Sequence, residues 1–524
     1  MKVNESKWLW WLVFGSFLIH FANIGGFSIY ALDEAKNATA AIEMMQQDEW
    51  VLPTFNREPR FAKPPLHYYA FALAYSWFGF NPFAARFFPA LLGFCLIWVV
   101  YGFTRYHTNK RLAFWVAFVV CCSPHWAIQF HMAVPDAFLI FFLTCSLACF
   151  YTSIKKSEKS PKLILAAYLS LGLAVLSKGP VAIVLVAGIM GLYLLIGQKN
   201  PLRQIAALLY VPGVLLFFCV VLPWYVLVGI QSEGQWLSEF FLTHNLSRFS
   251  APMEGHGGGP WLTWGYVFVG MLPFSPLLVF RLRKLRSLLK PANDLLLFSA
   301  CAAVVIVLFF SVSATKLPNY TVPAYPFIAI LVGFLINRFI RTKNETPVRV
   351  FGFVSLLTLS LLTLLPYILF RSIDELRHFT DAAFPLLVLG IICTGLLAAA
   401  LLFRRKNEEI IATVGISFYL VAVTFFYVSA PALDRFNPVL NAPLQTLRQA
   451  ELYYYQIYNP AFSFYLQKEV KNIEDQSSVP QSGFVLTREK YLPEFERLNI
   501  PYRVVHAQKD LFEPPVTVVL EIRP

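Results

Sequence analysis

The sequence predicts an all-α polytopic membrane protein followed by a small extracytoplasmic α/β domain. Three observations carry that prediction. The first is composition: of 524 residues 57% are hydrophobic and 14% charged, with a mean hydropathy of +0.58, against roughly 45–50% and 25% in soluble domains. The second is the recurrence of apolar runs long enough to cross a bilayer, which takes about 20 residues. The third is the placement of basic residues, which alternates from one connecting segment to the next as the positive-inside rule requires.

In chain order, spans are expected near 8–30, 83–104, 112–130, 134–154, 163–177, 179–197, 205–228, 262–280, 294–313, 319–338, 350–370, 382–403 and 410–429. The first run is too long for the apolar core of a cleaved signal peptide. With the N-terminus inside, the cytoplasmic segments include RYHTNKR (105–111), KKSEKSPK (155–162), RLRKLRSLLK (281–290) and FRRK (403–406). These short segments and their like hold more than half of the 43 Lys and Arg. Thirteen spans put the C-terminal tail outside. Residues 1–429 then form the transmembrane unit and 430–524 the outer domain.

Large outer loops occupy 31–82 and 229–261. The first contains an amphipathic helix over 35–47, with Ala38, Ile42 and Met45 on one face, expected to lie at the membrane surface. In the tail, a Tyr-rich helix is expected over 446–470, interrupted at Pro460. Strands follow at 483–487, 502–506 and 517–522, with a helix near 489–498.

The net charge of +13 is a topology signal, with some attraction to anionic headgroups. No basic stripe with interleaved aromatics marks a nucleic-acid surface, so no nucleic-acid partner is expected. The cysteines (Cys95, Cys121, Cys122, Cys145, Cys149, Cys219, Cys301, Cys393) all fall in or beside spans and imply no disulfide framework. Neither a Walker-A sequence nor GxGxxG occurs, and an outward-facing site would not meet cytosolic nucleotides. An activated group would have to arrive on a lipid.

YALDEAKNA (30–38) places Asp33 and Glu34 side by side where the first apolar run ends. As a cap and first-turn acid they would suit the helix dipole. HMAVPDAF (131–138) puts Asp136 in the tight turn between the third and fourth spans, at about the same depth. It too could be a cap. Two carboxylates at one depth on one side point instead to a site at the outer interface. The same face carries Lys36, Arg57, Arg60, Lys63, Lys178, Arg248 and Lys316, where positive charge is disfavoured. Snorkelling explains any one of them. Together with carboxylates they suggest a phosphate site, lysine acting as a point charge and arginine as a fork.

Within 236–246 the residues are helical and amphipathic in character, and His244 and Arg248 are four apart. GHGGGP (255–260) beside His256 suits a loop that orders on ligand binding. A metal held by His244, His256 and a carboxylate is an alternative, though no HExxH spacing supports it.

The block ALDEAKNATAAIEMMQQDEWVLPTFNREPRFAKPPLHYYAFALAYSWFG (31–79) resembles the first outer loop of GT-C fold membrane glycosyltransferases. The nearest branch is the protein O-mannosyltransferase-like one that contains the bacterial aminoarabinose transferases acting on lipid A. The matching features are the pair Asp33 and Glu34, then Glu43 and Met44, then Trp50, Pro53 and Asn56, then KPPL at 63–66. The likeness continues through the Asp136 turn, LSKGPVAIVL (176–185), residues 244–249 and KLPNYTVPAYPFIAIL (316–331).

That resemblance implies an inner-membrane enzyme transferring a sugar from a polyprenyl-phosphate donor at the outer face. The acceptor would be a lipid, glycan or protein. It implies Asp33 as principal catalytic carboxylate and Asp136 as second acid. It makes Lys36, Lys63 and Arg248 candidates for the phosphate, with Glu34, His244, His256, Lys316 and Tyr320 around the substrate. The expected step is a single displacement with inversion, the cations stabilising charge on the departing phosphate. One departure stands out. In aminoarabinose transferases the residue before the KPP lysine is typically acidic and helps a histidine hold a metal, whereas here it is Ala62. The rival class is a lipid-linked sugar transporter, which would keep its charges near the bilayer midplane.

Overall fold

The computed structural model describes residues 5–30, 32–156, 160–251, 257–279, 294–343, 345–474, 480–511 and 514–522. The expected cytoplasmic segment 281–290 lies outside them. Each of the thirteen expected apolar positions is helical among the described residues, but they are not thirteen equal rods. Among the described residues nine helices are long and apolar enough to cross a membrane, or ten if one bent pair is a single span.

That pair comes from the expected span 112–130, which breaks into Lys110–Cys121 and Pro124–Phe130, bent by 68°. Pro124 disfavours helical backbone at Ser123, which is extended (φ −90°, ψ 112°), so the first helix stops there. The first run is also cut short. Helix α1 (Glu5–Phe21) gives way to a turn before α2 (Leu32–Gln47) begins.

The helix α2 starts earlier than expected, and its apolar face is covered by protein. Residues from Glu34 to Met44 are almost all buried, packed against α3 (Leu66–Phe78) and against Ala461–Leu466 of the tail. The amphipathic pattern reports burial between protein layers rather than contact with lipid. Between α2 and α3 a small hairpin joins β1 (Thr54–Phe55) to β2 (Glu58–Pro59). Asn56 and Arg57 both take positive φ (57° and 65°), the backbone a tight two-residue hairpin turn needs. Glu43 organises it: its carboxylate accepts from Thr54 Oγ1 (2.6 Å), Asn56 N (2.7 Å) and Arg57 N (3.1 Å).

The tail forms a five-stranded sheet of β3 (Leu452–Tyr454), β4 (Lys471–Asn472), β5 (Gly483–Arg488), β6 (Tyr502–Lys509) and β7 (Val516–Ile522), in the order β4-β3-β5-β7-β6. The three expected strands are present, and helix Leu492–Arg497 follows β5. The expected Tyr-rich helix over 446–470 is not continuous. It is Leu444–Gln449, then strand β3, then Ala461–Leu466, because β3 pairs in parallel with β4 and β5. The tail's apolar residues divide: Ile473, Val485, Phe495, Val518, Leu520 and Ile522 form a cluster of their own at the sheet, while others join the main core. Val439, Leu447, Phe462 and Val470 belong to the same cluster as Ile42, Tyr68 and Phe71.

One buried arginine fixes the mouth of the first span. Arg86, on α4 (Pro82–His107) and 1% exposed, holds Glu34 through Nε (2.8 Å) and Nη2 (2.9 Å). Its remaining N–H groups donate to the carbonyls of Ile24 (3.0 Å), Phe27 (2.8 Å) and Ser28 (2.7 Å), so every donor of the fork is used. The guanidinium carbon stands 4.0 Å from the Phe27 ring centroid. From the other side the end of the last span and the tail reach the same segment. Asp434 accepts from Ser28 N and Oγ, Asn437 Nδ2 donates to Ser28 Oγ (2.7 Å), and Tyr465 OH accepts from Ile29 N (2.8 Å).

His67 on α3 is fully buried, packed on Tyr68 and Phe71. Burial, reinforced by the charges of Arg60 and Lys63, holds its pKa well below the ordinary 6.5. The unfolded chain therefore binds the extra proton. Stability from this group is full above pH 6.5 and falls as the pH drops below it.

Two predictions follow from this packing. Arg86→Leu should destabilise the protein in detergent by about 3–5 kcal/mol, because Glu34 is left buried and unpaired. Adding Glu34→Leu should recover part of the loss, and a single variant within about 1 kcal/mol of wild type in denaturant titration would refute the role. Acidification below pH 6.5 should lower stability by about 1.4 kcal/mol per pH unit through His67. His67→Phe should flatten that part of the stability–pH curve, and an unchanged slope would show that His67 is not the group responsible.

Candidate active site

The site is built where two antiparallel helices expose opposite ends. Helix α7 (Asp136–Lys155) begins at Asp136, and α8 (Pro161–Lys178) ends at Lys178. An acid at a helix N-terminus and a cation at a C-terminus are each where the helix dipole favours them. Lys178 Nζ lies 2.6 Å from Asp136 Oδ1, with both side chains largely buried. Asn319 Nδ2 donates to the same oxygen (3.0 Å) from the 3₁₀ turn Pro318–Ala324.

Gly179 makes this ending possible. Its φ of +88° stops α8, and a Cβ there would meet Phe240 at 2.5 Å. Lys178 Nζ also stands 4.7 Å from the centroid of the Tyr320 ring, a cation over a π face.

Beside this pair opens a cavity of about 100 Å³, with Lys63, Lys178, His244 and Asn245 among its polar walls. Phe240, Phe249, Phe309 and Phe310 form an aromatic wall, and Ala62, Ser313 and Tyr320 complete much of the rest. His244 comes from a π-helical stretch, Glu239–Ser247, a wider winding found often at functional sites. Asn245 Nδ2 donates to Phe240 O (2.6 Å), which steadies that stretch. Lysines against aromatic surface suit a phosphate attached to an apolar chain.

The sequence-derived candidates divide. Lys63, His244 and Tyr320 share one cavity with Lys178. Asp136 adjoins it through Lys178. Asp33 is exposed on α2, with Lys36 one turn further on and half-buried. The two acidic elements are neighbours, since Glu34 Oε1 also accepts from Ala133 N (2.8 Å), just before α7. Arg60, Asn37 and Tyr68 are linked to one another close to Asp33. Arg60 donates to Asn37 Oδ1 (3.1 Å) and to Tyr68 OH (3.1 Å), while burial raises the Tyr68 pKa above 10.0 with Asp33 adding to the rise.

Two expectations are corrected. Glu34 does not face a substrate, because Arg86 and Ala133 N occupy its carboxylate. Lys316 is buried outside the cavity and caps the helix Asp294–Val312, donating to the carbonyls of Ser311 (3.0 Å) and Ser313. His256 lies outside the described residues, and so does the side chain of Arg248. Sequence reasoning placed Lys178 on the outer face without assigning it to the site. Its signal was a lysine directly before Gly-Pro, where a helix must end.

The metal that the resemblance suggests does not fit the described donors. His244 shares its cavity with Lys63, Lys178, Asn245 and the methyl group of Ala62. Among the described residues no group of three or more His, Cys, Asp and Glu could hold an ion.

Comparison with known proteins bears on the fold and the family. The family described as dolichyl-phosphate-mannose-protein mannosyltransferase matches residues 62–226, from Ala62 through Asp136 and Lys178. An uncharacterised protein of Aquifex aeolicus is 28% identical over 80% of this chain and 78% of its own length. The undecaprenyl phosphate-alpha-4-amino-4-deoxy-L-arabinose arabinosyl transferase of Serratia proteamaculans is 24% identical over 78% of this chain and 74% of its own. The crystal structure of ArnT from Cupriavidus metallidurans bound to undecaprenyl phosphate superposes with a TM-score of 0.82 at 21% identity, covering 98% of each chain. The chain is a multi-pass membrane protein of GT-C fold, and over 78% of its length its sequence resembles the protein O-mannosyltransferase and aminoarabinose transferase-like superfamily.

Proposed function

We propose that the protein is a glycosyltransferase that moves a sugar from a polyprenyl-phosphate donor to an acceptor at the outer face of a bacterial inner membrane. The observation that carries this reading is the cavity where Lys63, Lys178 and His244 meet an aromatic wall at the ends of α7 and α8. The likeness to a fold solved with undecaprenyl phosphate supports it. The acceptor is a lipid of the lipid A type, a glycan or a protein, and the tail lies on the same outer side.

In the proposed step the bond between the anomeric carbon and the donor phosphate oxygen breaks with its electron pair on the phosphate. Lys63 and Lys178 stabilise the charge that gathers there. An acceptor oxygen forms the new bond from the opposite face, which inverts configuration. Asp33 orients that oxygen and takes its proton when the acceptor is a hydroxyl. A phosphate acceptor is already a nucleophile, and Asp33 then only positions it. Asp136 holds Lys178 in place (2.6 Å).

The test is transfer from labelled polyprenyl-phosphate sugars by purified protein. Asp33→Asn should lower turnover by about 10²–10⁴-fold with folding retained, the usual scale of general base catalysis. Lys178→Met should also abolish most turnover. Full activity in Asp33→Asn would remove that residue from the chemistry. Donor binding and transbilayer movement without transfer would identify a transporter instead.

A further inference from the structure

We infer that the cavity selects a lipid-linked sugar that carries no positive charge, that is, a neutral or acidic glycosyl group rather than an amino sugar. This rests on the transferase reading for the identity of the ligand, but its evidence is the charge distribution around the cavity. The charged groups among the described lining residues are Lys63 and Lys178, with His244 beside them, and no carboxylate lines the cavity there. Ala62, immediately before Lys63, offers only a methyl group.

Two nearby carboxylates, Asp136 and Glu34, are already matched. Asp136 Oδ1 receives Lys178 Nζ at 2.6 Å and Asn319 Nδ2 at 3.0 Å. Both oxygens of Glu34 are held by Arg86 at 2.8 and 2.9 Å. Asp33 stands on the exposed side of α2, with Lys36 one turn away and Arg60 fixed on Asn37, also one turn away.

A donor phosphate supplies the negative charge that the two lysines need. A sugar ammonium would add positive charge to a space already rich in it. The aromatic wall of Phe240, Phe249 and Phe310 lowers the local dielectric and strengthens that repulsion. Ring hydroxyls, in contrast, find neutral partners in the Asn245 amide, the Ser313 hydroxyl and the Tyr320 phenol. The selection is electrostatic exclusion as much as attraction.

The experiment uses the full chain in detergent or nanodiscs with four synthetic undecaprenyl-phosphate donors. They are matched except at one ring position, which bears a hydroxyl, a carboxylate, an ammonium or the neutral N-formyl amide. Both equilibrium binding and transfer are measured. The hydroxyl and N-formyl donors should bind, and turn over in kcat/KM, about tenfold or more better than the ammonium donor, the scale of a like-charge contact in a partly screened site. The advantage should shrink at high pH as the ammonium loses its proton. Ala62→Glu should raise use of the ammonium donor specifically. An ammonium donor that binds as well as its N-formyl counterpart, or better, overturns the inference, whether or not the variant folds. If no donor is transferred, the transferase reading falls, while the order of binding still decides the charge preference.

Discussion

The Arg86 fork is the interaction on which the outer face depends. The irregular backbone that follows α1, residues 22–30, has carbonyls without helical partners, and buried carbonyls need donors from elsewhere. Arg86 answers the carbonyls of Ile24, Phe27 and Ser28 and the carboxylate of Glu34 with one guanidinium. Glu34 in turn takes Ala133 N, so the start of α2 and the approach to α7 are tied through adjacent atoms. Asp33 and Asp136 inherit their relative placement from that tie. The pair of acids that opens α2 thus divides, Glu34 buried on Arg86 and Asp33 on the exposed side of the helix.

Around this anchor the charges sit mainly at helix ends. Asp136 begins α7, Lys178 ends α8, and Lys316 closes the helix Asp294–Val312. A charge in or near a bilayer is costly unless it has a partner, and a helix terminus is a partner that the backbone supplies. This arrangement gathers polar groups in a narrow layer while the spans beneath stay apolar. It also separates superficially similar lysines. Lys178 projects over Tyr320 into the cavity, whereas Lys316 folds back onto its own helix.

Much of this was legible in the sequence, and the rest was hidden for identifiable reasons. Apolar runs located the helices because lipid and protein interior demand the same side chains. That same equivalence hid which runs break, as at Ser123 and Pro124, and made α2 look like a surface helix. The outer-loop block contained Asp33, Lys63 and the turn residue Asn56, yet the role of Arg86 could not be read, because its partners, Ile24 to Glu34, are 52 to 62 residues away along the chain. Strand β3 was read as helix since its tyrosines suit both states and its pairing to β4 and β5 is non-local. Glu34 and Lys316 had the right chemistry for a ligand site. Only distances to Arg86 and to Ser311 show that they are occupied elsewhere.

The reciprocal bonds between Asn56 and Val470, Nδ2 to O at 2.7 Å and N to Oδ1 at 2.8 Å, join the first loop to the tail across most of the chain. Together with the contacts of Asp434, Asn437 and Tyr465 to Ser28 and Ile29, they set an order of events during biogenesis. The ribosome releases the Asp33 loop long before it has made the residues that brace it. The loop must wait, with its hairpin only locally held, until the last helices and the tail have been made. A nascent chain stalled before that point would be correctly threaded through the bilayer and still lack a finished site. Completion of the site is therefore coupled to completion of synthesis.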